Sequence, residues 1–163
     1  MPFTPFHFGA HACTVLPFQR KLDVPVFILS NVFIDIEPLA VMLFNLNYPL
    51  HGYAHTFLGG LVAGSLGGVF VYWLRKPMGK AMGSLGLYYK PTVILSMISG
   101  VLGAWLHILF DACIYSDIKP FYPISNNPLY GLISPVKMYI LCALFFIPAI
   151  VLYLMVRNKL QSR

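Results

Sequence analysis

Residues 92–115 read TVILSMISGVLGAWLHILFDACIY, and among them only Asp111 carries a full charge. A helix needs roughly 20 apolar residues to cross a hydrocarbon core about 30 Å thick, so this run is long enough to span a membrane. The whole chain has the same character, because 58% of its 163 residues are hydrophobic, only 10% are charged and its mean hydropathy is +0.75. Soluble domains carry about 25% charged residues, which excludes an ordinary soluble enzyme.

Two further runs resemble the first in length and composition. Residues 54–74 contain no Asp, Glu, Lys or Arg, and residues 135–156 contain only Lys137. Arg75 and Arg157 follow these runs directly. Each run is therefore long enough for one membrane-spanning helix.

A fourth run, 24–46, is equally long but is interrupted by acids and by Pro38. Because proline cannot donate a hydrogen bond to the preceding turn, we expect this helix to stop or kink near Ile36. Residues 6–18 are apolar but too short to span, which predicts a short N-terminal helix. Residues 1–163 are thus predicted to form a single all-α domain, a polytopic membrane helix bundle with about four spans.

The positive charges predict the orientation of these spans. Segment 75–90 holds four cations and no acid, three more cations follow Val156, and Arg20-Lys21 forms a third cluster. Cationic loops remain in the cytoplasm, which predicts a protein of the inner (plasma) membrane with a cytoplasmic C-terminus. The net charge of +6 lies in these clusters and not in a basic stripe with interleaved aromatics. The lipid bilayer is therefore the expected partner, and nucleic acid is not.

Glycines recur at three- and four-residue spacing in the stretch 59–68. Small residues at this spacing let two helices approach closely. Packing within the chain is the simpler interpretation, and a homodimer through this stretch is the other.

Most ionisable side chains lie within or at the ends of the apolar runs. Such groups are costly at membrane depth unless they are paired, bound to metal or facing water, so they are candidates for a functional site. At 1.5 Å per helical residue, the main candidates lie about 20–31 Å from the basic clusters of their own segments, in one layer. These candidates are His7, Asp35, His55, His107 and Asp111, with Glu37 and His51 slightly higher. His11 lies deeper, and we interpret it as a hydrogen-bonded packing residue.

Two pairs have the spacing of one helix face. His107 and Asp111 are four residues apart inside a predicted span, and His51 and His55 are also four apart if that stretch is helical. An i, i+4 pair of this kind can bind one metal ion through two side chains. The alternative for each pair is a structural hydrogen bond, and it is the common depth of the whole set that favours a metal site.

Asp35 and Glu37 are only two residues apart and diverge by about 200° on a straight helix. We expect them to converge only if the turn at Pro38 is unwound. Otherwise they serve two metals, or one metal and a proton.

The order of these elements resembles a known family. Residues 31–38 (NVFIDIEP), 51–56 (HGYAHT), 107–111 (HILFD) and 121–125 (FYPIS) follow one another as similar motifs do in the YdjM-type family of inner-membrane proteins, which are regarded as metal-dependent hydrolases. The chain departs from the family pattern at Ile34, Glu37 and Gly52, where the family has Pro, Asp and often Arg. The resemblance covers about residues 1–130 and implies hydrolase activity.

Zinc suits a set of imidazole and carboxylate ligands, although another divalent metal is an alternative. We expect one or two ions. A water bound to such an ion has its pKa lowered to about 7. The predicted metal ligands are His7, Asp35, His55, His107 and Asp111. Glu37 and His51 are predicted to be catalytic, and Ser125 and Asn126 to orient the substrate. A site in the outer half of the bilayer favours a phospholipid or a lipid-linked (phospho)ester as substrate.

Two other functions remain open at this stage. Intramembrane acids and histidines also build the proton or cation pathways of transporters, which need polar groups in the cytoplasmic half as well. A non-catalytic scaffold would use a structural metal site with a closed ligand shell, whereas a catalytic site keeps one position open.

Overall fold

The computed structural model describes residues 4–161, and this part of the chain is helical without any β-strand. The prediction of an all-α fold is confirmed. The described part contains α1 (His7–Val15), α2 (Val24–Leu43), α3 (Phe57–Trp73), α4 (Arg75–Ser84), α5 (Val93–Ala112), α6 (Pro135–Leu144) and α7 (Phe146–Gln161).

Three segments are long and apolar enough to cross a membrane: α2, α5, and α6 with α7 taken together over Pro135–Leu160. The pair α3–α4 gives a fourth if it is counted as one broken span. Exposed apolar side chains such as Leu66, Ile94 and Ile147 cover the outer surface of these helices. The described chain is thus a membrane-type bundle of three to four spans with a short N-terminal helix.

Polar caps fix the first residues of the long helices. The side chains of Asp23, Thr56, Thr92 and Ser134 each accept a hydrogen bond from the backbone N–H three residues later. Such a cap pairs one of the N–H groups that a helix start leaves without a partner, and contributes about 1 kcal/mol. The sequence therefore sets the helix starts locally, even though packing supplies most of the stability.

Prolines account for two breaks. The helices α3 and α4 are bent by 80° at Leu74. Pro77 cannot donate to the carbonyl group four residues earlier, in the last turn of α3, so the helix does not continue straight. Pro148 has the same relation to the end of α6, where the chain breaks at Phe145. The segment 75–90, which we expected to be a loop, therefore includes a helix.

We expected the helix of residues 24–46 to stop or kink near Ile36; the stop is wrong, and the kink remains a prediction. Helix α2 continues through Pro38 to Leu43. One proline removes a single hydrogen bond, and the flanking residues retain theirs. Pro38 is buried, so packing against the bundle holds the turn in helical form.

The glycines of α3 pack within the chain. A Cβ on Gly64 would lie 2.6 Å from the carbonyl oxygen of Gly100 in α5, and one on Gly68 would lie 2.5 Å from that of Ser96. Phe33 of α2 fills the space above Gly67 in the same way. Helices α2 and α5 therefore cover this glycine face, so it is not available to a second copy of the chain. The homodimer through this stretch remains a prediction.

The three basic clusters meet at one end of the bundle, which we call the basic end. The backbone N–H of Tyr88 donates to Gln19 Oε1 at 2.9 Å, and the Tyr153 hydroxyl donates to the Leu85 carbonyl at 2.8 Å. The guanidinium of Arg20 lies 5.5 Å from the centre of the Tyr88 ring. The predicted common side of the clusters is confirmed, while the compartment that they face remains a prediction.

Candidate metal centre

Four ionisable side chains from three elements meet inside the bundle. Asp35 comes from the middle of α2, His55 from a 3₁₀ turn (Tyr53–His55) before α3, and His107 and Asp111 from α5. One potential ligand atom from each residue lies within 4.8 Å of the other three. We call this set the four-residue cluster. Its members are far apart in sequence, and the cluster confirms that the predicted polar layer converges.

The separations inside the cluster suit a shared ion. His107 Nε2 lies 3.2 Å from Asp35 Oδ1 and 3.3 Å from Asp111 Oδ2, and His55 Nε2 lies 3.7 Å from Asp35 Oδ1. Tetrahedral ligands at about 2.1 Å from zinc stand about 3.4 Å apart, because the edge of a tetrahedron is about 1.63 times its centre-to-corner distance. The observed distances lie on both sides of this value.

Several of these buried atoms lack a hydrogen bond. His107 Nε2, Asp111 Oδ1 and both ring nitrogens of His55 have no hydrogen-bond partner within the described residues. The distances from His107 Nε2 to the Asp35 and Asp111 oxygens are short enough for hydrogen bonds, but the atoms are not aligned as a hydrogen bond requires. An unpaired buried polar group costs about 1–3 kcal/mol. A cation beside His107 Nε2 and His55 Nε2 would satisfy these two atoms together, whereas His55 Nδ1 faces Glu37 and Asp111 Oδ1 faces His7. The residues therefore fit a metal ion.

Asn31 fixes the proton of His107. The amide Nδ2 of Asn31 donates to the Ile28 carbonyl at 2.8 Å, which turns its Oδ1 toward His107 Nδ1 at 3.0 Å. An amide oxygen only accepts, so Nδ1 carries a proton, and in the neutral form of the ring the lone pair is at Nε2. Nε2 then faces two carboxylates that also accept. Metal-binding histidines are held by such a partner on the other nitrogen.

Glu37 holds the turn that carries His55. Its Oε2 accepts hydrogen bonds from the backbone N–H groups of Gly52 and Ala54 at 3.0 and 3.1 Å, and lies 3.6 Å from His55 Nδ1. Its Oε1 accepts from the Tyr48 hydroxyl at 3.3 Å. Glu37 therefore positions His55, and its predicted catalytic role remains a prediction.

The two acids of α2 lie on opposite sides of the His55 ring. Asp35 lies on the Nε2 side of the His55 ring and Glu37 on the Nδ1 side. The imidazole thus stands between two carboxylates that are two residues apart. Helix α2 is not unwound at Pro38, and only Asp35 belongs to the four-residue cluster, in agreement with our expectation that the two acids converge only if that turn is unwound.

His7 lies beside the cluster and not within it. Its Nε2 is 3.1 Å from Asp111 Oδ1, whereas the other oxygen of Asp111 faces His107. Its Nδ1 is 3.8 Å from the buried thiol of Cys142. His7 is therefore placed to orient Asp111, and its predicted role as a direct ligand remains a prediction. His11 is hydrogen-bonded through both ring nitrogens to the carbonyl groups of His7 and Gly103, as expected for a packing residue.

His51 pairs with Asp117 at the edge of the cluster. His51 Nδ1 lies 3.0 Å from Asp117 Oδ2, and its ring centre is 4.7 Å from that of His55. We expected His51 and His55 to share a helix face only if residues 51–55 are helical. They do not form one helix, because Gly52 has a non-helical backbone. Burial of the ring lowers the pKa of His51 and outweighs the Asp117 carboxylate, which raises it. The ring is therefore neutral at pH 7, with Nδ1–H donating to Asp117 and Nε2 able to accept a proton.

A cavity of about 340 Å³ opens beside His51. We call it the tyrosine cavity, and its walls include Tyr48, Tyr53, Tyr122, Asp117 and Lys119. It lies at the end of the bundle opposite to the basic end. A small polar group could enter there and come within reach of the His51–Asp117 pair.

Ser125 and Asn126 lie in the loop beyond Tyr122, and both are exposed. Their predicted role in binding substrate remains a prediction. The neighbouring Asn127 is structural, because its Nδ2 donates to the carbonyl groups of Ala112 and Tyr115.

Three residues of this centre were not predicted as site residues. Asn31 lies four residues before Asp35 on α2, so the helical period could have placed it on the same face. Asp117 comes from a loop, and no period connects it to His51. Cys142 is buried in α6, with its thiol against His7.

No protein-family model matches the chain, and no curated protein or solved structure is significantly similar to it. The resemblance to the YdjM-type family therefore remains a prediction.

Proposed function

We propose that this protein is a membrane-embedded, metal-dependent hydrolase whose four-residue cluster holds the metal. The observation that carries the proposal is the meeting of buried polar atoms without hydrogen bonds next to a cavity whose wall contains His51 paired with the Asp117 carboxylate. The cluster supplies the cation site, and the pair supplies a proton acceptor. Both lie at one end of a bundle of membrane-type helices.

Zinc fits the donor set best, because two imidazoles and two carboxylates match its borderline character. When bound, zinc would lower the pKa of a water and polarise the oxygen of a scissile ester. Asn31 would keep His107 Nε2 free to ligate, and Glu37 would keep His55 in place. His7 would hold the second oxygen of Asp111.

The His51–Asp117 pair would act as general base. Asp117 accepts from Nδ1–H and so directs the lone pair of Nε2 outward, which is the arrangement in which a carboxylate orients a catalytic histidine. The Asp117 side chain is 41% exposed and His51 only 7%. A proton taken up by His51 can therefore leave to water on the side of Asp117.

The surroundings favour a lipid-derived ester as substrate. The tyrosine cavity has Lys119 in its wall, and an ammonium group there could pair with a phosphate oxygen. The helices around the site have exposed apolar faces, which a lipid substrate could approach from the side. Ser125 and Asn126 would contact the head group from the loop that follows Tyr122.

The test uses purified protein in detergent, reconstituted with zinc and incubated with phosphatidylglycerol and phosphatidylethanolamine. Mass spectrometry of the products detects phosphoester or acyl-ester cleavage. We expect turnover that falls at least about 100-fold in His51→Gln, since general-base catalysis contributes about 10²–10⁴-fold. Zinc content should stay unchanged in that variant, because His51 is outside the four-residue cluster.

The same substitution at two acids gives a matched control. Asp111→Asn should lose both zinc and turnover, whereas Asp23→Asn, at the basic end, should keep both. Full activity of the His51→Gln or Asp111→Asn variant would contradict the proposal. Zinc binding without cleavage of either lipid by the wild-type protein would also contradict it.

One observation favours a second candidate, a scaffold with a structural metal. Four protein ligands are enough to close a tetrahedral zinc shell, and the cluster offers four. In that case zinc removal would lower the melting temperature, and no ester would be cleaved. The transport alternative finds no similar support, because Ser96 and Ser99 near the basic end are occupied by hydrogen bonds with Asp23.

A further inference from the structure

Three aromatic side chains pack against one another in the wall of the tyrosine cavity. The ring centres of Tyr48 and Tyr53 are 6.4 Å apart with their planes tilted by 52°, and those of Tyr53 and Tyr122 are 5.1 Å apart with their planes at 79°. All three side chains remain exposed. Tyrosines at a membrane surface usually form a belt around a protein, whereas these three converge on one concave site.

The backbone holds Tyr48 in this wall. Its ring lies directly on Gly52, where a Cβ would collide with it, so the absence of a side chain there makes room for the ring. Its hydroxyl donates to Glu37 Oε1 at 3.3 Å and accepts from the backbone N–H of Tyr53 at 3.2 Å. The wall is therefore ordered before a ligand binds, which lowers the entropic cost of binding.

The cavity also presents charges of both signs. The Asp117 carboxylate binds His51 on one side, but its side chain is 41% exposed and lines the cavity, so it can accept further hydrogen bonds. Lys119, two residues further along the chain, is in the same wall. The tyrosine rings add negative potential, because the face of an aromatic ring is the negative part of its quadrupole. The rings and Asp117 thus attract a cation, and Lys119 attracts an anion.

We propose that the tyrosine cavity binds the zwitterionic head group of phosphatidylethanolamine. The ammonium of the lipid lies against the tyrosine rings and donates to Asp117, and its phosphate pairs with Lys119. A primary ammonium has three N–H donors, which suits a carboxylate as well as the ring faces. An uncharged head group such as glycerol makes neither contact. This inference rests on the proposed function only in treating the bound lipid as the substrate.

The test measures lipid binding to metal-free protein, so that it does not depend on turnover. Protein with a chelator is released from detergent micelles in native mass spectrometry, and the retained lipid is measured over a range of concentrations. Phosphatidylethanolamine is compared with phosphatidylpropanol of the same acyl chains, in which a methyl group replaces the ammonium. We expect phosphatidylethanolamine to bind at least about 10-fold more tightly, since one cation–π contact contributes a factor of about 2 to 30.

Ring variants separate the aromatic contact from general apolar packing. Tyr53→Leu/Tyr122→Leu should lower this preference about 5- to 10-fold, whereas Tyr53→Phe/Tyr122→Phe, which keeps both rings, should lower it less than threefold. Tyr130→Leu is the matched control, because Tyr130 is exposed in the same loop as Tyr122 but lies outside the cavity wall. It should leave the preference unchanged.

Three results would overturn the inference: equal retention of both lipids by the wild type, equal loss in the Leu and Phe double variants, or an equal loss in Tyr130→Leu. Soluble phosphoethanolamine, added at the concentration of the lipid, should not displace it. Complete displacement would assign the cavity to a soluble ligand and overturn the choice of a lipid.

The failure of this inference is distinguishable from the failure of the proposed function. Preferential binding of phosphatidylethanolamine by a protein that cleaves no ester would contradict only the hydrolase. Equal cleavage of phosphatidylethanolamine and phosphatidylglycerol, together with equal retention of phosphatidylethanolamine and phosphatidylpropanol, would overturn only the head-group assignment.

Discussion

Replacing Asn31 with alanine removes the group that fixes the proton of His107 while leaving all four potential metal ligands in place. Asn31 and His107 are both essentially buried, and the hydrogen bond between them is 3.0 Å long. After the substitution Nδ1–H has no acceptor from Asn31, and the ring is free to change its tautomer or its orientation. We expect the protein to fold and its affinity for zinc to fall.

The magnitude follows from the geometry. A buried N–H that loses its hydrogen-bond partner costs about 1–3 kcal/mol. Without metal the ring can reorient and avoid part of this cost, so that part weakens metal binding. Loss of such a partner typically weakens metal binding 10- to 100-fold, which corresponds to about 1.4–2.8 kcal/mol. Asn31→Asp keeps an acceptor at this position and gives it a charge. It should bind zinc at least as tightly as the wild type.

The assay is competition for zinc against a chromophoric chelator, with purified protein in detergent at pH 7. Ser30→Ala is the matched control, because Ser30 is equally buried on α2 but its hydroxyl donates to the Phe27 carbonyl and not to His107. Asn31→Ala with wild-type affinity, or the same loss in Ser30→Ala, would refute the assignment of the His107 tautomer.

Three more predictions concern the turn, the helix contact and the cap. Glu37→Ala should raise amide hydrogen exchange at Gly52 and Ala54, whereas Glu37→Gln, whose single amide oxygen can still accept from both N–H groups, should not. Equal exchange in both variants would contradict its positioning role. Gly64→Ala should destabilise the protein by about 1–3 kcal/mol, because the new Cβ meets the α5 backbone, and this should appear as a lower melting temperature. Gly83→Ala on α4, where a Cβ meets nothing within 4 Å, should be neutral or slightly stabilising, and a loss equal to that of Gly64→Ala would argue against tight α3–α5 contact. Burial raises the pKa of Asp23, so its folded form binds a proton more tightly than the unfolded form, and its contribution to stability grows as pH falls through the folded pKa. The melting temperature of Asp23→Asn relative to the wild type should therefore fall as pH is lowered from 7 to 4.5, and an unchanged difference would show that Asp23 does not titrate abnormally.

The sequence predicted the parts of this structure that depend on local period and composition. The span lengths follow from the apolar runs. The depth of His107 and Asp35 along their helices was also predictable, because rise per residue is constant. Counting residues from the basic clusters was therefore enough to predict that ligands from separate segments meet.

Tertiary contacts decided what the sequence analysis missed. Pro38 stays in α2 because the bundle packs around it, and packing overrides the local preference for a break. The turn that carries His55 places its ring between Asp35 and Glu37. This turn is not part of an α-helix, so helical periodicity could not predict where the ring lies. Asp117 reaches His51 from a loop 66 residues away in sequence, a pairing for which no period exists.

The most direct test of the metal centre is X-ray absorption at the zinc edge on the purified, zinc-loaded protein. We predict two imidazole nitrogens at about 2.0–2.1 Å and carboxylate oxygens at about 2.0–2.2 Å, with the loss of one imidazole in His107→Ala. A spectrum with sulfur at about 2.3 Å, or one that His107→Ala leaves unchanged, would contradict the account.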